Sequence, residues 1–97
     1  MIKSFRHKGL ARYFEKNDRR GIDAKQASMI RRMLDALDQA TSPEQLNIPG
    51  WRLHTLTGNR KGIWSISVSG NWRITFGFSG TDAVNIDLEI ITDGIDA

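Results

Sequence analysis

The feature that most constrains this chain is a change of hydrophobic period near residue 50. Downstream the period is two: Trp64, Ile66 and Val68 share one face, then Trp72, Ile74, Phe76 and Phe78, then Val84, Ile86, Leu88 and Ile90. Gly58-Asn59, Gly70-Asn71 and Ser79-Gly80 separate these runs as hairpin turns, so the stretch from Trp51 onward predicts four segments in one antiparallel sheet. Upstream the spacing is helical. Ile2 to Phe5 alternates briefly as a short strand, and Leu10, Tyr13 and Phe14 then mark a first short helix, broken by the polar run Asn17 to Gly21. Asp23 followed three positions later by Gln26 suggests a capping box for a second helix. Its stripe is Ala27, Ile30, Leu34 and Leu37, with Arg31 and Arg32 as solvated charges on the flank. Thr41-Ser42-Pro43 ends that helix and can cap one further turn, and Asn47 to Gly50 is a turn. Helices followed by consecutive strands predict an α+β fold, with the helical pair packed on one face of a small, mainly antiparallel sheet.

The chain has 97 residues, enough for one core and too few for two, so a single domain is expected over 1–97: a short strand and two helices in 1–40, the sheet in 51–91, a tail in 92–97. Cysteine is absent, which removes disulfides, thiolate metal sites and cysteine nucleophiles, and two histidines are few for a structural metal. No metal and no cofactor are expected. With no signal peptide and no long apolar run, the expected location is the cytoplasm. The net charge of +3 is uneven: residues 1–35 carry ten Lys/Arg against four Asp/Glu, whereas residues 81–97 carry five acids and no base. A basic body suits phosphate backbones, and the acidic tail either competes with nucleic acid, folds on the body or simply stays solvated.

The segment Trp51 to Phe78 concentrates charge. Strand alternation turns Leu53 inward while Arg52 and His54 share the outward face, and it sets Arg73 outward between inward Trp72 and Ile74. With Arg60 and Lys61 from the intervening turn, these residues form a basic site on the sheet. Trp51 is placed either to stack on a base or to pack in the core.

The same residues carry a family resemblance. His54, Gly58, Arg60, Gly62, Trp64-Ser65-Ile66 and Asn71-Trp72-Arg73-Ile74-Thr75-Phe76, with the opening Met1-Ile2-Lys3-Ser4-Phe5 and His7-Lys8-Gly9-Leu10, resemble the signature of HigB-type toxins, the plasmid maintenance killer proteins of the RelE/ParE superfamily. The likeness runs from Met1 to about Ile90. It implies a RelE-like fold and a bacterial toxin that cleaves mRNA on the ribosome, is silenced by a cognate helix-turn-helix antitoxin of HigA type, and reaches operator DNA through that complex. No membrane partner is implied. Gyrase inhibition, as in the related ParE-type toxins, is less favoured because the Trp51 to Phe78 motif is not theirs.

Under that implication the residues can be given chemical roles. Cleaving RNA without a metal needs a ribose hydroxyl activated, a crowded phosphate dianion stabilised and a proton supplied to the leaving oxygen. Arg73 suits the phosphate, because a guanidinium stays protonated and its fork matches two oxygens; a salt bridge to Asp87 or Glu89 is the competing reading. His54 is the histidine of that face and the natural acid or base, against a purely structural role at a strand end. Glu89 is either a base or the ion-pair partner of Arg73. Arg52, Arg60 and Lys61 are expected to bind RNA. Arg6, Lys8 and Arg12, continued by Lys16, Arg19 and Arg20, form either a ribosome-docking patch or a solvated helix face. His7 reads as a surface residue.

One departure stands out. HigB-type sequences typically close their last strand with Asp-Tyr-His, where this chain has Ile90-Ile91-Thr92. Neither isoleucine can exchange a proton. The alternative is therefore a weakened or inactive member that acts by binding antitoxin, operator DNA or ribosome.

Overall fold

A computed structural model describes residues 1–91. Two helices, α1 (Lys8–Lys16) and α2 (Ala27–Gln39), precede four strands, β1 (His54–Thr55), β2 (Trp64–Ser69), β3 (Trp72–Ser79) and β4 (Asp82–Ile90). The strands pair antiparallel in the order β1-β2-β3-β4. The expected α+β arrangement is found. Ile30, Met33, Leu34 and Leu37 of α2 and Leu10 and Tyr13 of α1 bury against Ile66, Ile74, Phe76 and Ile86, all within one core. The stripe on α2 is thus core, as is Trp51. Burying each of these large side chains stabilises the fold by about 1.5–3 kcal/mol.

Several local expectations are corrected. The alternating run Ile2 to Phe5 makes two isolated bridges rather than a strand, Ile2 with Ala83 and Phe5 with Ile86, running parallel to β4. Asp38 on α2 fixes it from the side by accepting the Ile2 N–H at 3.0 Å. The capping box is not formed: α2 starts after Gln26, whose side chain instead donates to Ser69 Oγ at 2.8 Å, while Asp23 accepts from the Lys25 N–H. Tertiary contact to the β2 end wins over the local cap. Arg31 is only partly solvated, its side chain 38% exposed. Its guanidinium lies 5.8 Å from the Tyr13 ring and 5.5 Å from the Phe14 ring, and it donates to the Tyr13 carbonyl, so it joins the two helices. Arg32 is exposed as expected. Pro43 opens a short 3-10 turn through Leu46, so the extra turn forms, but Ser42 at its N-cap makes no side-chain cap.

The first strand is shorter than the sequence suggests. Arg52 takes a left-handed φ of 53°, which interrupts extended backbone before His54 and leaves β1 only two residues. Trp72, expected inward, is 37% exposed, and its cross-strand partner Ile90 is 61% exposed. They share a face with Ile74 and Leu88 but lie at the end of the strands.

His7 is no mere surface residue. Its Nδ1 accepts the Leu10 N–H at 3.1 Å and caps α1. Beside it, Gly9 meets the loop that leads to α2: a Cβ there would sit 2.8 Å from the His7 ring and 3.0 Å from the Gly21 carbonyl. Helix propensity alone makes Gly9→Ala favourable by about 0.5–1 kcal/mol. Here the methyl must push back loop backbone or the capping ring. We expect Gly9→Ala to destabilise by about 1–3 kcal/mol in urea unfolding, the usual range for overpacking; a stabilised variant would show that this approach is looser than described.

Candidate functional site

Antiparallel register determines which polar residues meet. His54 lies opposite Ser65, Ser65 opposite Thr75, and Thr75 opposite Asp87; in the next row Ser67 lies opposite Arg73, and Arg73 opposite Glu89. Directly paired residues share a face, so all seven belong to the side of the sheet away from the helices. Apolar Ile66, Ile74 and Leu88 occupy the intervening positions and point the other way. The sheet therefore separates a core from a polar surface two rows deep.

Arg73 is the second residue of β3, an inner strand of the sheet, and is 1% exposed. The expectation of an outward Arg73 holds for the face and not for solvent access. A buried guanidinium keeps its charge, since arginine does not deprotonate in proteins. Ser65 and Thr75, on the same face, are likewise buried.

Glu89 does not take Arg73 as its ion-pair partner, as the sequence suggested. Both of its oxygens engage Arg60, Oε1 with Nη1 at 2.7 Å and Oε2 with Nη2 at 2.6 Å, and Oε2 also accepts from the Thr75 hydroxyl. The Arg60 hydrogen bonds hold the Glu89 carboxyl below its ordinary range against the opposing effect of burial, with further help from Thr75 and from the charge of Arg6. Arg60 is raised by the same pair. A carboxylate so engaged is a poor proton acceptor near neutrality, which argues against Glu89 as a base.

His54 is oriented by the backbone. Its Nδ1 lies 3.0 Å from the Arg52 carbonyl, which can only accept, so Nδ1 carries a proton. In the neutral ring this leaves the lone pair on Nε2, 3.4 Å from the Ser65 hydroxyl. The left-handed turn at Arg52 thus contributes a carbonyl to the site, while its own side chain is exposed. Lys61 is exposed beside an open groove of about 410 Å³ lined by Thr55, Leu56, Thr57, Gly58, Lys61 and Gly62.

The predicted site residues do not all converge. Register and the Arg60–Glu89 pair bring together His54, Arg73, Glu89 and Arg60; Lys61 borders them; Arg6 lies within electrostatic reach of Glu89. Lys8 and Arg12 are exposed on α1, in the layer on the other side of the sheet. Ser65 and Thr75 were not foreseen as partners, although their parity with Arg73 along alternating strands was the signal for them. Of the altered terminal tripeptide, Ile90 is largely exposed and Ile91 is buried. Thr92 and the expected tail at 92–97 lie outside the described residues. Among the described residues no three metal-ligating side chains come together, and no helix is long and apolar enough to cross a membrane.

Replacing Glu89 by Gln removes the charge and keeps the shape. Because the folded-state pKa is depressed, the contribution of Glu89 is complete above the ordinary glutamate value of 4.5 and fades as pH falls through the lower folded value. Glu89→Gln should therefore be less stable than wild type by about 1 kcal/mol at pH 7, with the gap closing in acid as the pH falls through that lowered folded value. Urea midpoints at pH 7 and in acid check this; a gap that persists at low pH would point to packing instead.

Comparison with known proteins shows the family to which the chain is similar. The family described as the RelE-like toxin of the type II toxin-antitoxin system HigB matches residues 3–90. Endoribonuclease HigB of Proteus vulgaris is 47% identical over 89 residues, which cover 92% of this chain and 97% of the relative. Two helices over a four-stranded antiparallel sheet, and a match along nearly the whole chain, make this protein a member of the HigB family of RelE-like toxins, which are partnered by an antitoxin.

Proposed function

We propose that this protein is a ribosome-dependent, metal-independent endoribonuclease that cleaves mRNA in the cytoplasm and so halts translation. The observation that carries the reading is the co-facial placement of His54 and Arg73 on adjacent rows of one sheet face, in a chain 47% identical to an endoribonuclease. Arg73 supplies a permanent positive charge in a site sheltered from water, where stabilising a developing phosphate dianion is worth far more than at the surface. His54 exchanges the proton at Nε2, the nitrogen left basic by the Arg52 carbonyl. Arg60 and Lys61 grip the RNA backbone beside them. Arg6 extends the positive field along the edge of β4, and Lys8, Arg12 and exposed Arg52 add sequence-independent attraction to ribosomal RNA. The antitoxin silences the toxin by complex formation, and through it the pair occupies operator DNA.

A second reading rests on Ile90 and Ile91. Neither exchanges a proton, so the protein could instead occupy the ribosome or its antitoxin without cutting.

Ribosomes stalled on a defined mRNA separate the two. With wild type, we expect new RNA ends within the decoding site. Because Arg73 is buried, Arg73→Lys accompanies Arg73→Ala, keeping the charge and most of the volume while losing the planar fork. Both variants should lower the cleavage rate by about 10²–10³-fold, the usual cost of losing a preorganised transition-state donor. Intact mRNA with wild-type protein that still binds ribosomes would select the second reading.

A further inference from the structure

The connection from β1 to β2 carries two of the cations, yet little in its own composition holds it in place. Its short 3-10 turn, Gly58–Arg60, buries no residue, and Gly58 and Gly62 at its two ends take positive φ of 68° and 90°. Its backbone bonds are mostly local, Lys61 N–H to the Gly58 carbonyl and Ile63 N–H to the Arg60 carbonyl. The side-chain anchor is the bidentate contact from Arg60 to Glu89, braced by Thr75.

That anchor has a particular address. Glu89 is the direct cross-strand neighbour of Arg73, so its carboxylate carries the loop guanidinium to the row in which Arg73 stands. Two guanidiniums repel, and the Glu89 carboxylate, cross-strand from Arg73 and hydrogen-bonded to Arg60, offsets that repulsion. Glu89 takes one N–H from each Arg60 Nη, and a guanidinium has five, so further donors remain for an anion. The Arg60 side chain is still 38% exposed. A guanidinium already held in place loses less rotamer freedom when it meets a phosphate than one that swings freely.

We propose that Glu89 is a positioning residue for RNA: it holds Arg60 beside the Arg73 row as a ready phosphate clamp, and it is not the base. The proposal rests on the nuclease reading for its substrate, while the hold on the loop can be measured without it.

The test uses the full chain as Glu89→Gln, Glu89→Asp, Arg60→Ala and the Arg60→Ala/Glu89→Gln double variant. In hydrogen exchange, Glu89→Gln should speed exchange of the 58–63 amides about tenfold, clearly more than the core amides of β2 and β3, whose change should not exceed the roughly fivefold that a global loss of about 1 kcal/mol produces. In ribosome-dependent cleavage, Glu89→Gln and Arg60→Ala should each lower kcat/KM by about tenfold, mainly through KM, with the double variant no worse than the weaker single. Glu89→Asp should recover part of the loss. Unchanged exchange in 58–63 would overturn the proposal, as would losses that multiply in the double variant. Tighter RNA binding by Glu89→Gln would overturn it too, because Glu89 would then be competing with phosphate for Arg60. If wild type cleaves nothing, the nuclease reading falls, and exchange alone still decides whether Glu89 holds Arg60.

Discussion

Alternation of side chains along β2, β3 and β4 is the constraint on which the rest of the protein depends. One parity, Ile66, Ile74 and Leu88, joins the layer that meets the helices. The other, Ser65, Ser67, Arg73, Thr75, Asp87 and Glu89, builds the polar face. A slip of one residue in register would send every member of both sets to the wrong side, so the burial that stabilises the sheet is also what aligns the polar rows. Core and site are two faces of one pattern.

Polar groups on that face are costly to bury unless they find partners, and several find them across the sheet. Thr75 and Arg60 both donate to Glu89, and Ser65 faces the His54 ring. The opposite shifts of Arg60 and Glu89 report one interaction from its two ends. Arg73 is a buried cation on the same face. A surface arginine would attract RNA as well, but a sheltered one acts on a phosphate with less screening, and the sheet gives it a defined position.

The helical layer does different work. Tyr13 donates from its hydroxyl to the Ala27 carbonyl at 2.9 Å, and Arg31 covers Tyr13 and Phe14, so α1 and α2 behave as one unit laid on the sheet. The close approach of Gly9 to Gly21 turns the chain between them. This places most of the N-terminal cations across the sheet from Arg73. Charge near the polar face comes instead from Arg6, which the edge of β4 draws in through the bond from the Arg6 N–H to the Ile86 carbonyl.

Much of this was legible in the sequence. The change of period from 3.6 to 2 near residue 50 determined two helices and a meander of strands, and the parity of Arg73 and Glu89 put both on the face away from the helices. The motif residues led to the HigB family by resemblance, and the match over residues 3–90 agrees. Tertiary structure alone decided the pairings. Glu89 takes Arg60 rather than Arg73, Gln26 leaves its capping role for Ser69, and Arg52 gives a carbonyl to His54 instead of a strand position. Local pattern sets which side of an element a residue faces, because that follows from backbone period. Which partner it meets depends on register, loop path and the close approach of distant segments, and those exist only once the chain has folded.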